Sequence, residues 1–198
     1  ISRADIILDN AGFELVMDLL MVDFLITAGW ADQITLHLKA HPTFVSDAVV
    51  TDLYETIRSI RQVGYPHLRT CGTRLEEYRT SGQIQVTGDF FWNSPLAFWE
   101  LPGELRKDLQ SSRLVISKGD ANYRRLLGDR HWSFSTPFED ILGHFQAPML
   151  ALRTLKAEVA CGIEQSEITR ARKEDPDWMV NGRWGLIQFS RGVNPGPT

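Results

Sequence analysis

Asp9 and Asn10 are adjacent oxygen donors that follow directly on the apolar run Ile6-Ile7-Leu8. Together with Asp47 they make two carboxylates and one amide carbonyl. That set suits a hard divalent cation such as Mg²⁺ or Mn²⁺, which keeps waters in its remaining positions. The same residue types serve turns and helix N-caps, and Asp47 stands where it would cap a helix. A second group, Lys118-Gly119-Asp120-Ala121-Asn122, puts a glycine and two short polar residues where a strand turns into a helix. Backbone N–H groups at such a turn attract phosphate, and Gly119 lets a ligand approach the main chain. An ordinary loop capped by Asp120 or Asn122 fits the same letters, because the longer Walker glycine pattern is missing. Arg153 and Lys156 stand three apart, so on a helical turn they share a face. There the Arg fork and the Lys point charge suit a phosphoryl group, against the plainer alternative of a solvated face paired with Glu158.

Such groups work only if a scaffold brings distant loops to one place. Ile6–Leu8 reads as a buried strand running into the turn Asp9-Asn10-Ala11-Gly12, and Phe13–Ala28 as a helix ended by Gly29. Gln33–Leu38 reads as a second strand, Val45–Val63 as a helix, and Glu76–Arg79 as part of another. A weak strand follows at Gln83–Val86, a helix over Leu101–Ser111 entered through Pro102, and a strand at Arg113–Ser117. A helix through Leu127, a strand at Met149–Leu152 and a last strand at Trp184–Phe189 complete the series. Short apolar strands alternating with helices predict an α/β fold: three-layer, doubly wound, with a mostly parallel sheet and helices on both faces. The expected domain runs over residues 1–191, with the Gly- and Pro-rich end, 192–198, as a frayed tail. In such a fold chemistry gathers beyond the carboxyl ends of the strands. That rule selects Asp9-Asn10, Phe44–Asp47, Lys118–Asn122 and Arg153–Lys156.

Composition narrows the classes further. The chain has 198 residues, 43% of them apolar and 23% charged, enough to bury a full core without staples. A formal charge of −4 argues against a dedicated nucleic-acid binder. Cys71 and Cys161 are too few for a zinc cluster or disulfide framework, which points to a reducing compartment. The greasiest stretch, Leu15–Ala28, carries Asp18 and Asp23, so no membrane span is expected. No basic-then-apolar leader is seen, and cytoplasm is the default, with the nucleus as the other option. His37, His41, His67, His131 and His144 show no metal-ligand spacing, and Ser117 is not in a nucleophile elbow.

Taken together, four runs are far more specific than each alone. Ile7-Leu8-Asp9-Asn10-Ala11-Gly12-Phe13-Glu14-Leu15, Phe44-Val45-Ser46-Asp47, Lys118-Gly119-Asp120-Ala121-Asn122-Tyr123-Arg124 and Leu152-Arg153-Thr154-Leu155-Lys156 resemble the damage-control phosphatases. This is the domain-of-unknown-function-eighty-nine family, and Arg153-Thr154-Leu155-Lys156 matches the Arg-Thr-x-Lys motif of its subfamily III. Gly128-Asp129-Arg130-His131-Trp132 and Pro137-Phe138 are similar to the family's linking segment.

The resemblance implies a metal-dependent phosphomonoesterase for small sugar phosphates, fructose 1-phosphate or fructose 6-phosphate, supported by Mn²⁺, Ni²⁺, Co²⁺ or Mg²⁺. It places the metal ligands on Asp9, Asn10 and Asp47. It places substrate contacts on Asp9, Asn10, Asp120, Ala121, Asn122, Tyr123, Arg124 and Lys156. Asp9, Asn10 and Asp120 are the expected catalytic residues, with Asp120 positioning the attacking water or accepting its proton. Asp9 as a phosphorylated nucleophile is disfavoured, because enzymes of that type begin Asp-x-Asp and the third position here is Ala11. Two rival functions stand beside this one: a protein carboxyl methyltransferase using S-adenosylmethionine, and a non-catalytic sugar-phosphate-binding module. Members of the subfamily also carry a mainly helical N-terminal region before the Asp-Asn strand. The expectation is therefore that this chain is the catalytic α/β part, beginning just before its first strand.

Overall fold

The computed structural model describes residues 2–192, so Ile1 and residues 193–198 of the expected tail lie outside the described residues. The chain forms two compact units, Ile1–Ser94 and Pro95–Thr198.

In the first unit, β1 (Arg3–Ile7) leads into α1 (Phe13–Thr27) and β2 (Gln33–Lys39), then α2 (Val50–Gln62), α3 (Pro66–Ser81) and β3 (Ile84–Asp89). β2 lies between the other two strands and is parallel to both, with Ile7 opposite His37 and Lys39 opposite Asp89. Ile6, Ile7, Ile34, Leu36 and Leu38 are all buried. That is the near-continuous apolar reading of strands covered on both faces. α1 is the greasy stretch, and the fold gives its Asp23 a partner. Asp23 is buried and takes a forked pair of hydrogen bonds from Arg74 of α3, at 2.8 and 2.5 Å. α2 begins at Val50 rather than Val45, because residues 40–48 fold back as a loop. α3 is longer than the sequence suggests and opens at Pro66, whose missing N–H costs nothing at a first helical position.

The second unit holds α4 (Gly103–Gln110), β4 (Leu114–Lys118), α5 (Asp120–Leu126), α6 (Phe138–Ile141), β5 (Met149–Thr154), α7 (Gln165–Glu174) and β6 (Gly185–Ser190). β4 and β5 are parallel, with Lys118 opposite Leu152, and β6 runs antiparallel to β5. The fold is therefore α/β with mostly parallel strands, as expected. α7 went unread because its charged run Arg170–Glu174 hides the two residues it buries, Ile168 and Ala171. They pack with Leu155 and Trp178 in a small core of their own. No helix among the described residues is long and apolar enough to cross a membrane.

Both cysteines are buried and free. Burial pushes the Cys71 thiol up to about 12 and the Cys161 thiol up to about 11. At pH 8 the thiolate fraction of Cys71 is then on the order of one in ten thousand, and that of Cys161 about one in a thousand. Ellman's reagent is expected to leave the native protein unlabelled over minutes and to label two thiols once urea is added. Rapid labelling of the folded protein would contradict this.

Candidate active site

The first unit assembles its site from the ends of β1 and β2. After Ile7 the chain stays beside β2 for one more residue, with the Leu8 N–H donating to the His37 carbonyl at 3.0 Å. It then leaves the sheet at Asp9 and Asn10. Gly12 turns it into α1 at φ 72°, a left-handed conformation that favours glycine. β2 ends at Lys39, and the loop 40–48 doubles back over the Asp9–Ala11 segment. Ala11 N–H donates to Ser46 O at 2.8 Å, and Ala48 N–H donates to Asp9 O at 3.0 Å. Asn93 ties the loop down from the other side, accepting from the Ala40 N–H at 2.9 Å and donating to Thr43 Oγ1 at 2.7 Å.

Asp9, Asn10 and Asp47 are thereby brought together, as the sequence anticipates. Asp47 does not cap α2, whose N-cap is Val49. Its Oδ2 instead accepts from the backbone N–H groups of Thr43 and Phe44, at 2.9 and 2.8 Å. Its Oδ1 lies 3.0 Å from Lys39 Nζ. Lys39 also donates to Asp9 Oδ1 at 2.9 Å and to the Asp9 carbonyl at 3.1 Å. Asn10 Oδ1 accepts from Ser46 Oγ at 2.7 Å, and its Nδ2 donates to Glu14 Oε2 at 2.9 Å. Among the described residues, Asp9 Oδ2 takes only a long 3.3 Å contact from Asn10 Nδ2.

Lys39 was not singled out by its sequence. Its signal is faint: a lysine closing the run Gln33–Lys39, whose other side chains from Ile34 onward are buried with it. Asp9, Asp47 and Lys39 are exposed by only 6%, 4% and 2%. Burial raises the Asp9 carboxyl above its ordinary value, Lys39 opposes that rise, and Glu14 and Asp47 add to it. Two buried carboxylates facing one ammonium leave uncompensated negative charge among oxygen donors. This donor set fits a hard divalent cation on both charge and ligand type.

The second unit builds its site after β4 and β5. Gly119, at φ 91°, turns β4 into the seven-residue α5. Asn122 and Tyr123 point inward: Asn122 Nδ2 donates to Lys118 O at 2.8 Å, and Tyr123 Oη donates to Gln188 Oε1 at 2.6 Å. Asp120, Ala121 and Arg124 are half-buried, and Arg124 pairs with Asp129 at 2.7 Å. The helical turn expected to align Arg153 with Lys156 is absent, because Arg153 lies within β5 and Lys156 in the loop beyond it. The two cations have different surroundings. Arg153 is 4% exposed, donates to Asp120 Oδ1 and Ala157 O at 2.8 Å and to Val159 O, and lies 4.5 Å from the Tyr123 ring centroid. Its guanidinium is committed to the protein, so the phosphoryl role read for it from sequence does not survive. Lys156 is exposed, with no ion pair among the described residues, and the buried Leu155 beside it anchors the loop.

Comparison with known proteins returns a consistent picture. A family model described as the damage-control phosphatase ARMT1-like domain matches residues 1–170. Damage-control phosphatase ARMT1 of Danio rerio is 41% identical over 193 residues, covering 96% of this chain and 43% of that protein. The Mus musculus protein of the same name is 37% identical over 193 residues, and the Homo sapiens protein 36% identical over 192. The chain spans 43–44% of the length of these relatives.

Proposed function

The chain belongs to the family of ARMT1-like damage-control phosphatase domains, and from that premise we propose that it is a divalent-metal-dependent phosphomonoesterase acting on small sugar phosphates. Fructose 1-phosphate and fructose 6-phosphate are the substrates to test first. The observation that carries this reading is the convergence of the buried Asp9 and Asp47 carboxylates with the half-buried Asn10 amide, both carboxylates sharing the Lys39 ammonium.

In this reading Asp9, Asn10 and Asp47 hold Mn²⁺, Mg²⁺, Co²⁺ or Ni²⁺. When bound, the ion supplies Lewis-acid polarisation of phosphoryl oxygens and orientation of a water. The protein's own groups do the remaining work. The amides of Thr43 and Phe44 fix one edge of Asp47, and Ser46 fixes the Asn10 carbonyl, so the donors need little reorganisation. In the second unit Arg153 grips Asp120 through Oδ1 alone, which leaves Oδ2 to orient the attacking water or take its proton. Ala121 and Arg124 are assigned to the sugar phosphate, while Asn122 and Tyr123 hold the turn that presents them. Lys156, exposed on an anchored loop, serves as the point charge for the phosphoryl oxygens. The buried free thiols fit a reducing cytoplasm.

The test is a screen of small phosphate esters against these four metals, with the 198-residue chain as it stands. Phosphate release that requires an added divalent ion is the expected result, and release unaffected by EDTA would defeat the proposal. Lys156→Ala is expected to raise KM by about tenfold or more while leaving the melting temperature within a degree or two, since the side chain is solvated. An unchanged KM would remove Lys156 from the site.

A further inference from the structure

Lys39 is the buried charge that the phosphatase mechanism does not use. An ammonium has three N–H donors, and the structure gives Lys39 three acceptors: Asp9 Oδ1 at 2.9 Å, Asp9 O at 3.1 Å and Asp47 Oδ1 at 3.0 Å. None is left over for a phosphate, so Lys39 is not a second substrate cation. Its root is equally fixed, because Lys39 is the last residue of β2, pairs with Asp89 of β3 and donates its N–H to Ala48 O at 3.3 Å.

We propose that Lys39 is a positioning residue: a built-in counter-charge that holds the Asp9 and Asp47 carboxylates in their ligand arrangement when no metal is bound. This rests on the reading of those two residues as metal ligands. Two carboxylates at 6% and 4% exposure would repel each other and resist burial without a cation between them. Lys39 supplies that cation on one side of the pair, taking the Oδ1 atom of each. Asp9 Oδ2 keeps, among the described residues, a single long contact from Asn10 Nδ2. The single charge of Lys39 only part-neutralises the pair, so the site keeps an attraction for a dication while its geometry is already set.

The test is thermal melting of the EDTA-treated full chain. Lys39→Met keeps the stem and removes the charge, and its Tm is expected to fall by about 10 °C, since one partner of a buried ionic group is lost. Added Mn²⁺ should then raise the Tm of the variant by more than it raises that of the wild type, because the ion becomes the sole counter-charge. Lys39→Met combined with Asp47→Asn should recover part of the lost Tm without metal, because only the Asp9 carboxylate is then left facing no cation. That recovery carries the test even if the single variant does not fold. A single variant that melts with the wild type, or a double variant as unstable as the single, would overturn the proposal in favour of simple packing by the stem. Titration calorimetry of the wild type with Mn²⁺ keeps the two readings apart. No binding there would sink the metal assignment, while the metal-free melts still decide the role of Lys39.

Discussion

Replacing Asp47 with alanine is expected to cut metal-supported phosphate release by at least about a hundredfold, since even partners one step removed from a metal cost 10- to 100-fold when lost. The substitution removes a carboxylate from the donor set. It also leaves Lys39 short of an acceptor and the Thr43 and Phe44 amides without theirs. Loop and charge effects separate with Asp47→Asn, whose amide oxygen still accepts from the two backbone N–H groups. If the charge is what matters, Asp47→Asn loses activity almost as fully as Asp47→Ala. Both variants should also lose Mn²⁺ binding by calorimetry. Wild-type release from Asp47→Ala would show that the phosphate chemistry lies elsewhere.

Arg153→Ala is expected to cost about 3–5 kcal/mol of stability, the usual penalty for removing one partner of a buried charged network. The side chain holds Asp120, two carbonyls on the 157–159 segment and the face of Tyr123 at once. Urea unfolding should show the midpoint falling by roughly 1.5–2.5 M for a slope near 2 kcal/mol/M. Arg153→Lys is expected to recover little of it, since a point charge cannot reach acceptors arrayed for a planar fork. A raised KM with an unmoved midpoint would return Arg153 to the substrate-binding role its sequence suggests.

These two residues show how differently a motif can resolve. Asp47 sits in a short run whose neighbours, Phe44-Val45-Ser46, already mark it as part of a site, yet as letters it is equally a helix cap. The loop 40–48 removes the cap by folding back and aiming the Asp47 carboxylate at Lys39 and the Thr43 and Phe44 amides, three residues short of α2. Arg153 and Lys156 look alike in a four-residue motif. Strand β5 buries one and its exit loop exposes the other, so one grips Asp120 while the other stays in solvent. Lys39 was illegible for a third reason. A lysine at a strand end is normally solvated, and only the pairing of β1 with β2 brings Asp9 beneath it.

What the sequence determined by itself is local and periodic. Strand-forming runs such as Gln33–Leu38 specify strands, and the long apolar stretch after Gly12 specifies a helix. Asp9-Asn10 at a strand end marks where chemistry gathers in an α/β fold, because the positions of strand ends follow from the fold class. Which side chains share a charge was left to tertiary structure. Ion pairing depends on distances of a few ångströms between segments some thirty residues apart, as from Asp9 to Lys39 or from Asp120 to Arg153. Desolvation then makes each buried charge answer to whatever partner the fold sets beside it, so a lysine and an arginine absent from any metal logic came to hold the carboxylates in place.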